Sequence, residues 1–107
     1  MALTVQIRYQ GKGDAARCFA EEMTSSGTVE KIRAEEGNLR YEYYFPMEED
    51  GSVLLVDTWA DQKALDAHHA SPLMGEIAAL RDKYDLKMIA EKYLSVSDSS
   101  DAKYIRK

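Results

Sequence analysis

Residues 37–71 read GNLRYEYYFPMEEDGSVLLVDTWADQKALDAHHAS, a strand, a hairpin, a second strand and the start of a helix in one run. Leu39, Tyr41, Tyr43 and Phe45 alternate with Arg40, Glu42 and Tyr44. That is the period of two a strand imposes, because successive side chains point to opposite faces. Its aromatic side chains suit a pleated surface. Glu48, Glu49, Asp50 and Gly51 supply a hairpin-type connection. Val53 to Trp59 is apolar on both faces at its start, the mark of a central strand covered on each side. Asp61 can cap a following helix that carries Ala64, Leu65 and His68 or His69.

Working outward, Leu3, Val5, Ile7 and Tyr9 alternate with Thr4, Gln6 and Arg8 in a first strand closed by Gly11 and Gly13. Asp14 is a candidate N-cap for a helix in which Ala15, Ala16, Phe19, Ala20 and Met23 recur at helical spacing. Ser25, Ser26 and Gly27 interrupt it, and a short second helix turns Val29 and Ile32 inward, with Gly37 as its stop. Past residue 71, Ser71 followed by Pro72 restarts a helix that runs to about Tyr84. Leu86, Met88 and Ala90 then alternate with Lys87, Ile89 and Glu91 in a last strand ending near Val96. The order β–α–β–β–α–β predicts an α+β fold, a ferredoxin-like split βαβ sandwich. Residues 1–96 form the domain and 97–107 a loose polar tail. Strands apolar on both faces predict a second sheet against the first, which a symmetric homodimer supplies as a dimeric α+β barrel.

The formal net charge of −5 excludes an electrostatic footprint for nucleic acid. No basic amphipathic helix or long apolar run speaks for a membrane partner, and the first eight residues lack the apolar stretch of a secretory signal. A cytoplasmic protein with a small-molecule ligand is expected. Cys18 is the only cysteine, so it forms no intrachain disulfide, and its helical position predicts a buried, inert thiol. Two adjacent histidines without a third placed ligand make no zinc site, and Gly11–Gly13 carries neither nucleotide-loop fingerprint.

Taken in order, Gly37, Leu39, Arg40, Tyr41, Glu42, Trp59, Asp61, Ala67, His68, Ser71 and Pro72 resemble the pattern of the antibiotic-biosynthesis monooxygenase family. The resemblance covers almost the whole domain and leaves out the tail. It implies the ferredoxin-like dimer and a small-molecule oxygenase that uses no cofactor and no metal. Relatives include quinol and polyphenol oxygenases, isomerases of phosphorylated sugars, and haem-degrading enzymes. The haem-degrading branch has an asparagine, a tryptophan and an iron-ligating histidine at positions corresponding to Gln6, His68 and Ala78. Ala78 cannot ligate iron, so haem degradation is not expected.

Within this frame the candidate residues are few. His68 and His69 point about 100° apart on a helix, so one of them faces inward. His68 follows Ala64 by four residues and Leu65 by three, which puts it on the apolar stripe, and it matches the family's histidine. It is either a general base, since imidazole titrates near neutral pH, or a partly buried histidine bonded to a carbonyl. Gln6 would project into the same cavity as His68 if its face meets the helices; otherwise it faces solvent, as Arg8 does. Trp59 is either the wall of an aromatic pocket or plain core. Tyr44, with Tyr41 and Tyr43, fits an aromatic pocket or a dimer interface, Met74 fits apolar lining, and His69 sits at the pocket's edge. The expected function is cofactor-independent oxidation of a small quinol, phenol or enolisable substrate. The alternatives are a cofactor-free isomerase of a small, phosphorylated or unphosphorylated carbonyl compound, and a non-catalytic ligand-binding dimer.

Overall fold

The alternating stretches form strands β1 (Leu3–Gln10), β2 (Asn38–Tyr44), β3 (Ser52–Trp59) and β4 (Lys87–Leu94). They make one antiparallel sheet, in the order β2-β3-β1-β4, in a computed structural model that describes residues 1–106. Helices α1 (Ala15–Ser25) and α2 (Thr28–Arg33) join β1 to β2, and α3 (Gln62–His69) and α4 (Leu73–Lys83) join β3 to β4. The topology is the expected split βαβ plan, with a pair of helices at each crossover. Strand β3 lies inside the sheet, as its apolar start requires.

Local chemistry explains most of the boundaries. Gly27, at φ +84°, takes the left-handed conformation that separates α1 from α2. Asp61 caps α3, its side chain accepting from the Ala64 N–H at 2.8 Å, and Ser71 Oγ accepts from the Leu73 N–H at 3.1 Å where α4 begins. Asp14 stands at the start of α1 without a side-chain cap bond. Helix α2 ends at Arg33, so Gly37 belongs to the turn into β2 and is not the helix's immediate stop.

Register decides which side chains meet the helices. Leu3 pairs with Trp59, Val5 with Asp57, and Tyr41 with Asp57. One face of the sheet therefore carries Leu3, Tyr9, Tyr41, Val53, Leu55 and Trp59, all buried under Phe19, Met23, Ile32 and Leu65 of the helices. Burying each of these large apolar side chains contributes roughly 1.5–3 kcal/mol. The opposite face carries Gln6, Arg8, Leu54, Val56, Tyr44, Ile89 and Tyr93, and no helix covers it.

Three expectations need correction here. Gln6 pairs with Val56 and Glu91 on the open face, so strand alternation points it away from the helices and from His68. Cys18 is half-buried and not enclosed, because α1 turns it toward the helix margin. The tail is not structureless: Ser99–Tyr104 forms a 3-10 turn capped by Asp98, which accepts from the Ser100 N–H at 2.9 Å. Lys107, the last residue of that expected tail, lies outside the described residues.

Candidate active site

Strand β3 delivers Trp59 to the helix-covered face, fully buried, and α3 starts three residues later under its Asp61 cap. The helix thus folds back over the indole, and its last turn sets the His68 ring on Trp59, with centroids 4.6 Å apart and planes 26° from parallel. Close approach of two backbones makes this possible. Gly37 sits at φ +84°, its carbonyl accepts from the Ala60 N–H at 2.8 Å, and a Cβ there would lie 2.5 Å from the Ala64 Cβ. Only glycine lets the α2–β2 turn lie this near α3.

That same turn brings Glu35 to the histidine. His68 is 3% exposed, and its Nδ1 lies 2.7 Å from Glu35 Oε1. With the carboxylate accepting, Nδ1 carries the proton and Nε2 presents its lone pair, the tautomer a proton acceptor needs.

A second carboxyl lies on the sheet beneath. Asp57 is 4% exposed, and its Oδ1 has no hydrogen-bond partner; the indole Nε1 of Trp59 is also without a well-formed bond. Burial pushes the Asp57 carboxyl up to about 6; His68 and the Trp59 N–H act against that rise, and Glu35 adds to it. Three tyrosines on the same face surround the group. Burial pushes Tyr9 up to about 12 and raises Tyr41 and Tyr43 as well, and the Tyr43 hydroxyl is buried without a partner. All three hydroxyls stay protonated at neutral pH and can act as neutral donors.

Of the residues singled out in the sequence, the structure brings together His68 and Trp59. His69 is exposed, with its ring 5.7 Å from that of His68. Met74 is half-buried against the core, whereas Gln6 and Tyr44 lie on the open face. Glu35 and Asp57 were missed. Asp57 left a signal, a carboxylate at an inward position of the strand Val53–Trp59, two residues from Leu55 and two from Trp59. Glu35 left none, because only the folded turn brings it to His68.

Two clefts flank these elements, and neither is lined by His68. One of about 460 Å³ runs between α1 and β2 and is lined by Ala20, Thr24, Arg33, Tyr43 and Phe45. Another of about 230 Å³ lies beside α3, lined by Gly37, Asp61, Ala64 and Ala67. Tyr43, which lines the first cleft, also belongs to the tyrosine group around Asp57. No helix among the described residues is long and apolar enough to cross a membrane.

An antiparallel sheet with paired helices on one face, enclosing a histidine and the Asp57 carboxyl, defines a small ferredoxin-like α+β domain with a titratable interior. The sequence profile of the antibiotic biosynthesis monooxygenase family matches residues 2–80, and the chain belongs to that family. No curated protein matches the sequence. Solved structures of the same fold include SnoaB, a cofactor-independent oxygenase from Streptomyces nogalater. It has a TM-score of 0.75 at 15% identity, and the match covers 92% of this chain and 96% of that one. A conserved protein from Methanosarcina mazei has a TM-score of 0.75 at 26% identity, with 87% and 91% of the two chains covered. A Mycobacterium tuberculosis protein, Rv0793, has a TM-score of 0.72 at 19% identity, with 92% and 99% covered.

Proposed function

We propose that this protein is a cofactor-independent monooxygenase that oxidises a small quinol, phenol or enolisable substrate, with His68 as the proton acceptor. The observation that carries the reading is the pairing of buried His68 with half-buried Glu35, with Nδ1 held by the carboxylate and Nε2 left to take a proton. Deprotonation makes such a substrate electron-rich enough to reduce oxygen directly. One oxygen atom becomes a carbonyl on the attacked carbon and the other leaves as water, so the substrate supplies all the electrons. The family supports this chemistry, and SnoaB, on the same fold, is itself a cofactor-independent oxygenase. Trp59 would hold the imidazole plane, and the apolar surroundings would keep water from the activated substrate.

The active form is a homodimer in this proposal. Strand β4 is exposed along its whole length, and Ile89 and Tyr93 extend the uncovered face of the sheet. A second copy would cover that face.

Oxygen consumption during incubation with a panel of quinols and phenols tests the function. Uptake by the wild-type protein that is lost in His68→Ala is expected. No uptake, together with exchange of deuterium at a substrate carbon, would replace the oxygenase with an isomerase.

A further inference from the structure

Asp57 is the one buried side-chain carboxyl of the sheet, and nothing in the proposed proton transfer uses it. Strand proteins rarely enclose a carboxyl without pairing it, because an unsatisfied buried charge is costly. Here one carboxyl oxygen is unpaired at 4% exposure, in the middle of a strand whose neighbours on the same face are Leu55 and Trp59. Trp59 connects Asp57 to His68: two residues further along β3 it shares the carboxyl's face of the sheet, and its ring stacks on the imidazole with centroids 4.6 Å apart.

We propose that Asp57 is a positioning residue of the oxygenase site, the second counter-charge for His68, so that Asp57 and His68 ionise as a coupled pair through Trp59. When His68 takes a proton from substrate, the imidazolium faces Glu35 on one side and the Asp57 carboxylate on the sheet side. Above about pH 6 the carboxyl is already ionised before His68 takes the proton, so no second proton has to move. The raised value of about 6 for Asp57, and the opposing influence of His68 on it, agree with this coupling. The groups that face Asp57 from each packed element are Tyr9 of β1, Tyr41 and Tyr43 of β2, Glu35 of the α2–β2 turn and His68 of α3. Arg81 of α4 acts on Tyr9 and so lies one shell further out. The tyrosines stay neutral around pH 6, which leaves His68 and Glu35 as the charges that tune Asp57.

The role rests on the proposed oxygenase chemistry for its effect on rate, and does not need it for the coupling. Carboxyl and imidazole NMR titrations of the full chain read the coupling without any substrate. A buried carboxyl titrating near pH 6, absent in Asp57→Asn, is expected in the wild type. In His68→Gln that midpoint should move to higher pH, because the imidazole works against the rise at Asp57. An Asp57 midpoint in the ordinary carboxylate range, or one indifferent to His68→Gln, overturns the coupling. With a turned-over quinol, Asp57→Asn should lower kcat by roughly three- to thirtyfold, below the ~10²-fold minimum for losing the base itself. KM should hold and the pH profile should lose its inflection near pH 6. A variant with wild-type kcat and pH profile overturns the positioning role. If the wild type oxidises no quinol, the proposed function fails while the titrations still decide the pair.

Discussion

Glu35 Oε1 lies 2.7 Å from His68 Nδ1, although 33 residues separate the two in sequence. The contact fixes which ring nitrogen carries the proton, and it ties the α2–β2 turn to the last turn of α3. A histidine held this way has its orientation set before any substrate arrives, which is what a proton acceptor requires.

His68→Ala should lower turnover by about 10²–10⁴, the usual loss for a general base, whereas His69→Ala should change it little. His69 is exposed on the same helix and serves as the control. Steady-state rates per mole of chain, with circular dichroism to confirm folding, make the comparison. Equal rates in the two variants would remove His68 from the mechanism.

The sequence made the fold legible because each element carries a local signal. Period-two alternation marked β1 and β2, Asp61 and Ser71–Pro72 marked the helix starts, and Ser25–Gly27 marked the break between α1 and α2. The inward place of His68 followed from its spacing to Ala64 and Leu65. What escaped was non-local. Glu35 reaches His68 only because Gly37 lets two backbones approach, and no spacing rule records that. Alternation along β1 leaves open which of its two faces meets the helices, so it does not decide the side on which Gln6 stands. Asp57 was readable as a charge at an inward strand position, but the run of apolar neighbours hid it.

Asp57→Asn should stabilise the protein increasingly as pH rises. The folded carboxyl holds its proton up to about pH 6, whereas the group ordinarily loses it near 3.8. Below about pH 4 both states are protonated and the group contributes nothing to the pH dependence. Between pH 4 and 6 the unfolded chain releases the proton first, so ionisation increasingly favours unfolding. Above pH 6 the full penalty applies, on the order of 3 kcal/mol. Asparagine carries no such penalty. Urea unfolding of both proteins at pH 4, 5, 6 and 7 should show the variant gaining on the wild type by roughly 1–3 kcal/mol. A difference that stays flat with pH would mean that the carboxyl is ordinary.

Gly37→Ala should destabilise more than Gly13→Ala. Both glycines have positive φ, +84° and +56°, so alanine strains the backbone at each. At Gly37 the added methyl also meets the Ala64 Cβ at 2.5 Å, whereas at Gly13 nothing lies within 4 Å. Gly37→Ala is expected to cost about 2–3 kcal/mol and Gly13→Ala about 1 kcal/mol. Calorimetric Tm values decide between them, and equal losses would show that the approach of the turn to α3 is not what the glycine protects.

Dimerisation is the remaining expectation, and the exposed sheet face is its ground. Leu54 and Val56 of β3 lie on the side without helices, with Tyr44 of β2 and Ile89 and Tyr93 of β4 around them. Arg8, Gln6 and Glu42 are interspersed, so the surface is mixed rather than oily, and Arg8 is already paired with Glu49 at 2.7 Å. A surface of this kind suits an interface that combines apolar contact with defined polar pairing. Two copies packed face to face would bury more than about 2,000 Å² in total if the interface is obligate. Sedimentation should therefore give a dimer at micromolar concentration, and Val56→Lys, placing a charge at the centre of the face, should shift it toward monomer. A wild-type protein that sediments as a folded monomer at that concentration would rule the dimer out. A Val56→Lys variant that stays dimeric would place the interface on another surface of the chain.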